Sequence, residues 1–251
     1  MTGDTKLYGL IGRPLTHSYS AEFFNNKFAA EGIDAHYLNF ELDHISQLPQ
    51  LVAQHPQLCG LNVTAPYKEQ VIPYLGSLDD QAHDIGAVNV IKFIRDTDGN
   101  LQLHGYNTDT IGFGNTMQPL IQRGITHALV LGTGGAARAV THALQRLGIT
   151  VQLVSRHKSA HTIVYPELTK QMVAACQLVV NATPLGKYPL VDQCPPFPYR
   201  FLTNQHLAYD LIYNPADTLF MRRAQQFGAT TKNGLEMLLL QAFASYEVWT
   251  S

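Results

Sequence analysis

A short apolar run followed by glycines is the feature that most limits what this chain can fold into. Residues 128–131 are all apolar, the pattern of a strand buried on both faces. Gly-Thr-Gly-Gly follows at 132–135, and residues 136–147 then carry apolar side chains at helical spacing. Residues 150–154 form a second strand pattern. This order predicts a dinucleotide-binding βαβ unit, in which the glycines and the first helix amides approach a pyrophosphate. An ordinary tight turn between strand and helix is the alternative.

The residues after the second strand select the cofactor. About 20 residues beyond the glycine-rich turn, an NAD-binding unit has an Asp or Glu for the ribose 2′-hydroxyl. This chain has Ser-Arg-His-Lys at positions 155–158 and no carboxylate nearby. Because Arg156 can bind a 2′-phosphate through two hydrogen bonds, the sequence predicts NADP(H). A solvated basic loop is the other interpretation.

Composition excludes several classes of protein. The chain has 251 residues, enough for one large or two small domains, of which 45% are hydrophobic and 14% charged. With a formal net charge of −2 and no basic block, we expect no nucleic-acid or membrane partner. The three cysteines are scattered, which argues against a disulfide framework or a structural zinc. The first six residues lack secretory-signal features, and no apolar run is long enough to span a bilayer, so we expect a cytoplasmic protein.

Strand and helix patterns alternate along the N-terminal half as well. Strands are predicted over residues 7–12, 35–40 and 58–63, and Ser20 is placed to cap the helix after the first of them. Alternation of this kind predicts an α/β fold with parallel strands, whose carboxyl ends carry the functional groups. Residues 88–94 and 101–106 flank the turn cluster Thr-Asp-Gly-Asn at 97–100 and predict a hairpin.

Two ionisable residues lie next to clusters of small polar groups. Lys68 comes shortly after the third predicted strand, and Asp109 directly follows Asn107 and Thr108. If the two side chains meet, they can hold a reacting oxygen and exchange a proton with it. Taken singly, a surface lysine at a helix start and a carboxylate at a helix N-terminus explain the residues equally well.

The last predicted helix covers residues 235–249, and its first half is apolar almost all round. This pattern predicts that the helix is buried. It nevertheless carries Gln241, and a buried amide needs hydrogen-bond partners, which a ligand in a cleft between two domains can supply.

Seven motifs in the same order along nearly the whole chain resemble the shikimate dehydrogenase family. They are Gly12-Arg-Pro-x-x-His-Ser-x-Ser20, Asn62-Val-Thr-x-Pro-x-Lys68, Gly86-Ala-Val-Asn89, Asn107-Thr-Asp109, Gly132-Thr-Gly-Gly-Ala136, Asn181-Ala-Thr-Pro184 and Asn233-Gly-Leu-x-Met-Leu-x-x-Gln241. The resemblance implies two α/β domains around a cleft, the second a Rossmann-like NADP-binding domain. The substrate domain would comprise residues 1–107 plus 235–251, and the NADP domain residues 108–234.

The resemblance also implies an activity and the residues that perform it. The family reversibly reduces 3-dehydroshikimate to shikimate with NADPH, without a metal, in aromatic amino acid (chorismate) biosynthesis. The implied catalytic residues at the C3 oxygen are Lys68 and Asp109. The implied substrate-binding residues are Ser18, Ser20, Thr64, Asn89, Tyr213 and Gln241. The implied cofactor-binding residues are Gly132, Gly134, Gly135, Ala136, Arg156, Thr183 and Gly234.

Four positions depart from the family pattern, and two other functions stay open. Ala21 replaces a usual proline, Ser155 a usual asparagine, His157 a usual threonine, and Lys187 a frequent methionine. A quinate/shikimate dehydrogenase with relaxed cofactor choice is one alternative. A non-catalytic NADP(H)- or shikimate-binding module is the other, since a fold does not fix a function. We expect a monomer or a homodimer.

Overall fold

A computed structural model describes residues 5–16, 18–122 and 124–251. The chain divides into two compact units. The first ends at Thr108 and includes Ala242–Ser251, and the second is Asp109–Gln241. The later change of unit falls inside the last helix.

The first unit contains a six-stranded sheet. Its elements are β1 (Lys6–Gly12), α1 (Ser20–Glu31), β2 (Ala35–Glu41), α2 (Leu48–Gln54), β3 (Leu58–Val63), α3 (Tyr67–Gln70), β4 (Ser77–Leu78), α4 (Asp80–Ile85), β5 (Val90–Arg95) and β6 (Leu101–Tyr106). The strand order is β2-β1-β3-β5-β6-β4. Strands β1, β2 and β3 are parallel, as expected, but β5 runs antiparallel to both β3 and β6. The hairpin predicted over residues 88–94 and 101–106 is confirmed, because β5 and β6 are antiparallel neighbours joined by a short turn.

The second unit contains a six-stranded sheet whose strands are all parallel. Its elements are α5 (Asp109–Ile121), β7 (His127–Leu131), α6 (Gly135–Arg146), β8 (Thr150–Ser155), β9 (Thr162–Val164), α7 (Lys170–Ala175), β10 (Leu178–Asn181), β11 (Leu207–Asp210), α8 (Leu219–Gln226), β12 (Thr230–Lys232) and the start of α9 (Leu235–Thr250). The strand order is β12-β11-β10-β7-β8-β9. The chain therefore builds outward from β7 and then returns to its other side, which creates a switch point between β7 and β10.

Aromatic side chains anchor the end of α9 within the first unit. Trp249 stacks on Tyr8 of β1 with ring centroids 4.8 Å apart, and its indole N–H donates a hydrogen bond to the carbonyl of Ile91 at 3.1 Å. Tyr37 and Phe24 stack beside them at 4.7 Å. The indole ring is thus packed against aromatic side chains and its N–H has an acceptor, as is usual for a buried tryptophan.

The first half of α9 is less buried than its sequence predicts. Leu235 and Phe243 are each 45% exposed, so the expectation of burial all round is wrong. Apolar composition is a one-way guide, because apolar atoms also make up much of a protein's surface. No helix in the described ranges combines the length and apolarity needed to cross a membrane.

Candidate active site

The topology of the first unit brings the predicted substrate residues to one edge of its sheet. Parallel strands β1 and β3 both end there, and β5 begins there because it runs antiparallel to β3. Strand β6 ends at the same edge, since Tyr106 pairs with Val90. The segments that carry the two serines, Thr64 and Asn89 therefore converge at this edge.

The loop after β1 holds the two serines. The Ser18 hydroxyl accepts a hydrogen bond from the amide of Ser20 at 3.3 Å, and the amide of Ser18 donates to the Leu15 carbonyl at 3.0 Å. Ser20 is the first residue of α1 and not its cap, because Tyr19 occupies the capping position without a side-chain bond. The Ser20 amide donates to the Ser18 hydroxyl, and the prediction that Ser20 caps α1 is wrong. His17 of the first motif lies outside the described residues.

Backbone hydrogen bonds fix the turn that carries Thr64 and Lys68. The Thr64 amide donates to the Ile11 carbonyl at 2.9 Å, and the Val88 amide donates to the Lys68 carbonyl at 2.7 Å. Lys68 lies in α3 and is half-buried, as is Thr64. The short helix is thus tied to the segment that leads to Asn89.

Five side chains form a buried neutral network behind this edge, here the first-unit network. The Asn89 side-chain oxygen accepts from the Thr108 amide at 2.7 Å, and the Asn89 amide group donates to the Thr108 hydroxyl at 3.0 Å. The Ser245 hydroxyl lies 3.1 Å from that of Thr108 and accepts from the Asn62 amide group at 3.0 Å. The Tyr37 hydroxyl donates to the Asn62 side-chain oxygen at 2.8 Å. All five side chains are buried.

The first-unit network extends to one of the predicted carboxylate-binding serines. Burial raises the pKa of Tyr37 well above its usual value, and a hydrogen bond from the Ser20 side chain opposes that shift. The phenol is therefore neutral at physiological pH and can accept from Ser20 while it donates to Asn62. Sequence reasoning assigned no role to Tyr37, Asn62 or Ser245. For Asn62 the available signal was a polar side chain within a strand pattern that is otherwise apolar.

The glycine-rich turn of the second unit lies at the switch point, as the βαβ pattern predicts. Gly132 has a φ of +119°, and a Cβ there would lie 3.0 Å from the Ala182 carbonyl oxygen. Gly134 occupies the capping position of α6 and makes no side-chain cap, and Gly135 and Ala136 form the start of the helix. The first amides of α6 are thus not covered by a capping side chain, which suits an anion.

The predicted 2′-phosphate reader comes just after the end of β8, the strand next to β7. Arg156 is exposed. Burial raises the pKa of Tyr165 to about 12, and the positive charge of Arg156 opposes this rise. Lys158 is ion-paired with Glu167 in the same region. Lys158 is thus partly neutralised by a carboxylate, and Arg156 is the other cation of this segment.

The loops after β10, β11 and β12 each carry one predicted ligand-binding residue: Thr183, Tyr213 and Gly234. The Asn181 side-chain oxygen accepts from the Thr183 amide at 3.1 Å and from the Thr183 hydroxyl at 2.7 Å. Tyr213 is half-buried in the loop after β11. A Cβ at Gly234 would lie 2.0 Å from the Leu211 carbonyl oxygen, so close backbone packing accounts for this glycine without a ligand.

Asp109 and Gln241 both belong to the second unit. Asp109 is 5% exposed, is the first residue of α5 and directly follows Thr108 of the first-unit network. The Gln241 side chain is half-buried and donates to the Leu238 carbonyl of its own helix at 2.8 Å. Within the described ranges, no group of three or more His, Cys, Asp or Glu side chains could hold a metal ion.

A doubly wound parallel sheet with a glycine-rich turn at its switch point defines a dinucleotide-binding α/β protein. Residues 10–91 match the family model of the shikimate dehydrogenase substrate binding domain. A shikimate dehydrogenase (NADP(+)) of Desulforamulus reducens is 39% identical over 100% of this chain and 91% of its own length. The crystal structure of shikimate dehydrogenase from Aquifex aeolicus has a TM-score of 0.86 and 34% identity, covering 99% of this chain and 94% of its own. The chain belongs to the shikimate dehydrogenase family.

Two further solved structures of similar fold carry ligands. The shikimate 5-dehydrogenase of Thermus thermophilus, in complex with NADP(H) and shikimate, has a TM-score of 0.82 and 28% identity, covering 98% of this chain and 93% of its own. The quinate dehydrogenase of Corynebacterium glutamicum, in complex with NAD, has a TM-score of 0.82 and 27% identity, covering 99% of this chain and 94% of its own. Similar folds are thus seen with either cofactor.

Proposed function

We propose that this chain is an NADP-dependent oxidoreductase that reversibly reduces 3-dehydroshikimate to shikimate in aromatic amino acid biosynthesis. The observation that carries the proposal is the sequence identity of 39%, over the whole chain, to a shikimate dehydrogenase (NADP(+)). We assign substrate binding to residues 1–107 plus 235–251 and NADP binding to residues 108–234. We further propose a cytoplasmic monomer or homodimer. We also propose that it binds neither nucleic acid nor membrane, and the net charge of −2 supports this second proposal.

The substrate is an anionic ring with several hydroxyl groups, and the proposed contacts match that chemistry. We assign the hydroxyls of Ser18 and Ser20 to its carboxylate. Thr64, Asn89 and Gln241 are assigned to the ring hydroxyls and carboxylate, with Tyr213 lining the same site. Support comes from the convergence of the serine loop, Thr64 and Asn89 at one sheet edge, where the side-chain amide of Asn89 is already oriented by Thr108.

The proposed chemistry is a hydride transfer coupled to a proton transfer. NADPH, when bound, supplies a hydride to the C3 carbonyl carbon, and the C=O electron pair moves onto oxygen. Lys68 and Asp109 hold that oxygen, stabilise the negative charge that forms on it and supply the proton. Either of the two can be the proton donor. In the reverse direction the same pair removes the proton from the hydroxyl.

The proposed cofactor site follows from the second sheet. Gly132, Gly134, Gly135 and Ala136 bind the pyrophosphate, and Arg156 binds the 2′-phosphate. Thr183 and Gly234 lie on the nicotinamide side. The uncapped start of α6 supports the pyrophosphate assignment.

A lysine substitution tests the reaction most directly. We expect Lys68→Ala to lower kcat about 100-fold or more, with a smaller change in KM, because an acid–base or charge-stabilising group is lost. Shikimate-dependent reduction of NADP+, followed by absorbance, is the measurement. Lys6→Ala, an exposed lysine of the same unit, is the matched control. Turnover of Lys68→Ala at the wild-type rate would refute the role of Lys68.

A relaxed quinate/shikimate dehydrogenase is the second candidate, because a quinate dehydrogenase with NAD shares the fold. Comparing kcat/KM for shikimate and quinate, each with NADP+ and NAD+, separates the two. The proposal requires shikimate with NADP+ to be the best pair. Equal or better use of NAD+ would refute the assignment of Arg156.

A further inference from the structure

A fully buried carboxylate lies in the second unit and has no part in the proposed chemistry. Asp210, the last residue of β11, is 0% exposed. One of its oxygens accepts from the Asn181 side-chain amide at 3.0 Å and from the Ile212 amide at 3.0 Å, and the other accepts from the Thr218 hydroxyl at 2.5 Å. Among the ion pairs of the described residues, none includes Asp210. Burial raises the pKa of Asp210 to about 6, although its three hydrogen bonds oppose the rise.

The partners of Asp210 each hold a loop at the carboxyl edge of the sheet. Asn181 receives two hydrogen bonds from Thr183 and donates to the Leu185 carbonyl at 3.2 Å, so it shapes the loop after β10. Thr218 caps α8 by accepting from the Met221 amide. Asp210 therefore joins the loop after β10 to both ends of the loop between β11 and α8.

A role in stability alone does not account for such a group. Burying a carboxylate without a cation is costly, and an apolar residue of similar size is often neutral or stabilising in comparison. What a carboxylate adds is several strong, directional hydrogen bonds from one rigid centre. Here those bonds fix two loops that carry Thr183 and Tyr213, both assigned above to the ligand site.

We propose that Asp210 is a positioning residue, which sets the loops that carry Thr183 and Tyr213 for hydride transfer. This inference rests on the proposed function. Small displacements of groups that orient a reactant cost much of the rate, whereas the pyrophosphate and 2′-phosphate contacts lie on other loops. Loss of Asp210 should therefore lower kcat more than it weakens NADPH binding.

Two variants of Asp210 grade the loss of these hydrogen bonds, and a third variant is the control. Asp210→Ala removes both acceptor oxygens and so all three hydrogen bonds, and we expect kcat to fall about 10- to 100-fold. Asp210→Asn keeps one oxygen for Asn181 and Ile212 and loses only the acceptor for Thr218, so we expect a fall of about threefold at pH 8. Val173→Ala, a buried residue of the same core, is the control for lower stability without a change in the loops.

The pH profile supplies a readout that a purely structural role would not move. Protonated Asp210 resembles the asparagine variant, so the ratio of wild-type to Asp210→Asn kcat should fall toward one below about pH 6. Among the described residues, the titratable group that senses the Asp210 charge is Tyr199, and Cys194 and Arg223 lie beside Tyr199. Burial raises the pKa of Tyr199 far above neutrality, and all of these groups are shared by the wild type and the variant, so their effects cancel in the ratio.

The decisive experiment measures kcat, KM and the NADPH dissociation constant of these variants at pH 5 to 8, at matched folded protein. A tenfold or larger kcat loss in Asp210→Ala, with the dissociation constant nearly unchanged, supports the inference. Wild-type kcat in Asp210→Ala, or a loss no larger than that of Val173→Ala, overturns it. If Asp210→Ala does not fold, Thr218→Val decides, with a kcat loss of about threefold expected and none contradicting the inference. A wild-type enzyme that does not oxidise shikimate would instead refute the proposed function.

Discussion

The two units support their proposed ligand loops with buried polar networks of different chemistry. The first-unit network consists of hydroxyl and amide groups on Tyr37, Asn62, Asn89, Thr108 and Ser245. In the second unit a carboxylate, Asp210, is the centre. Neutral groups keep their hydrogen bonds at any ordinary pH, whereas a carboxylate bonds more strongly but only while ionised.

The difference is consistent with what each unit is proposed to bind. The first unit is proposed to receive an anionic substrate, and a buried negative charge behind its serine loop would repel the substrate carboxylate. The second unit is proposed to bind phosphates at the α6 start and at Arg156, which follow strands other than the one that carries Asp210. A carboxylate is therefore tolerated behind one set of loops and unfavourable behind the other.

Moving a carboxylate into the first unit should have the largest effect. In Asn62→Asp, the donors to the Asn89 carbonyl and the Ser245 hydroxyl are replaced by an acceptor, and a charge is buried without a cation. We expect the free energy of unfolding at pH 8 to fall by about 3–5 kcal/mol, measured by urea denaturation.

Asn39→Asp, at an exposed position of β2, is the matched control, and we expect a change within about 0.5 kcal/mol. A small effect of Asn62→Asp would mean that the first-unit network accommodates charge. The contrast between the two units would then be incorrect.

The reverse exchange, Asp210→Asn, should change how stability depends on pH. The folded pKa of Asp210 is raised to about 6, so folding favours its protonated form. This contribution is present below about pH 4, where both states are protonated, and is lost as the pH rises through 6. A pKa shift of this size changes the free energy of unfolding by at most about 3 kcal/mol.

The wild type loses this contribution as the pH rises, and the asparagine variant does not. We therefore expect the free energy of unfolding of Asp210→Asn, minus that of the wild type, to increase from pH 4 to pH 8. Urea denaturation at several pH values measures this difference. A difference that is constant with pH would show that the buried carboxylate does not titrate between the two states.

The parts that sequence predicted are those encoded locally. The glycine turn, the start of α6 and Arg156 lie within a continuous segment of strand, turn and helix periods. The networks depend on contacts between distant residues: Asn62 and Ser245 are 183 positions apart. Nothing near Asp210 in the sequence distinguishes a buried network centre from the end of an ordinary strand.

The burial of α9 was mispredicted for a related reason. Its first half is apolar on almost every side, yet the pattern does not state which sides are covered, and Leu235 and Phe243 are exposed. Resemblance to a family named the positions that are proposed to touch ligand, such as Lys68 and Asn89. It did not name the residues behind them, because their function is defined by geometry.

The smallest expected effect is that of Ser245→Ala in the neutral network. The variant removes the acceptor for the Asn62 amide and the partner of the Thr108 hydroxyl, and leaves Asn62 with the Asn89 carbonyl at 3.3 Å. We expect a loss of about 1 kcal/mol in unfolding free energy and a rise of a few fold in KM for shikimate, since Thr108 orients Asn89.

Because no member of this network titrates near neutrality, both changes should be the same at pH 6 and pH 8. Thr250→Ala, an exposed residue on the same helix, is the control. A pH-dependent effect of Ser245→Ala would show that the first-unit network, like the second, contains an ionising group.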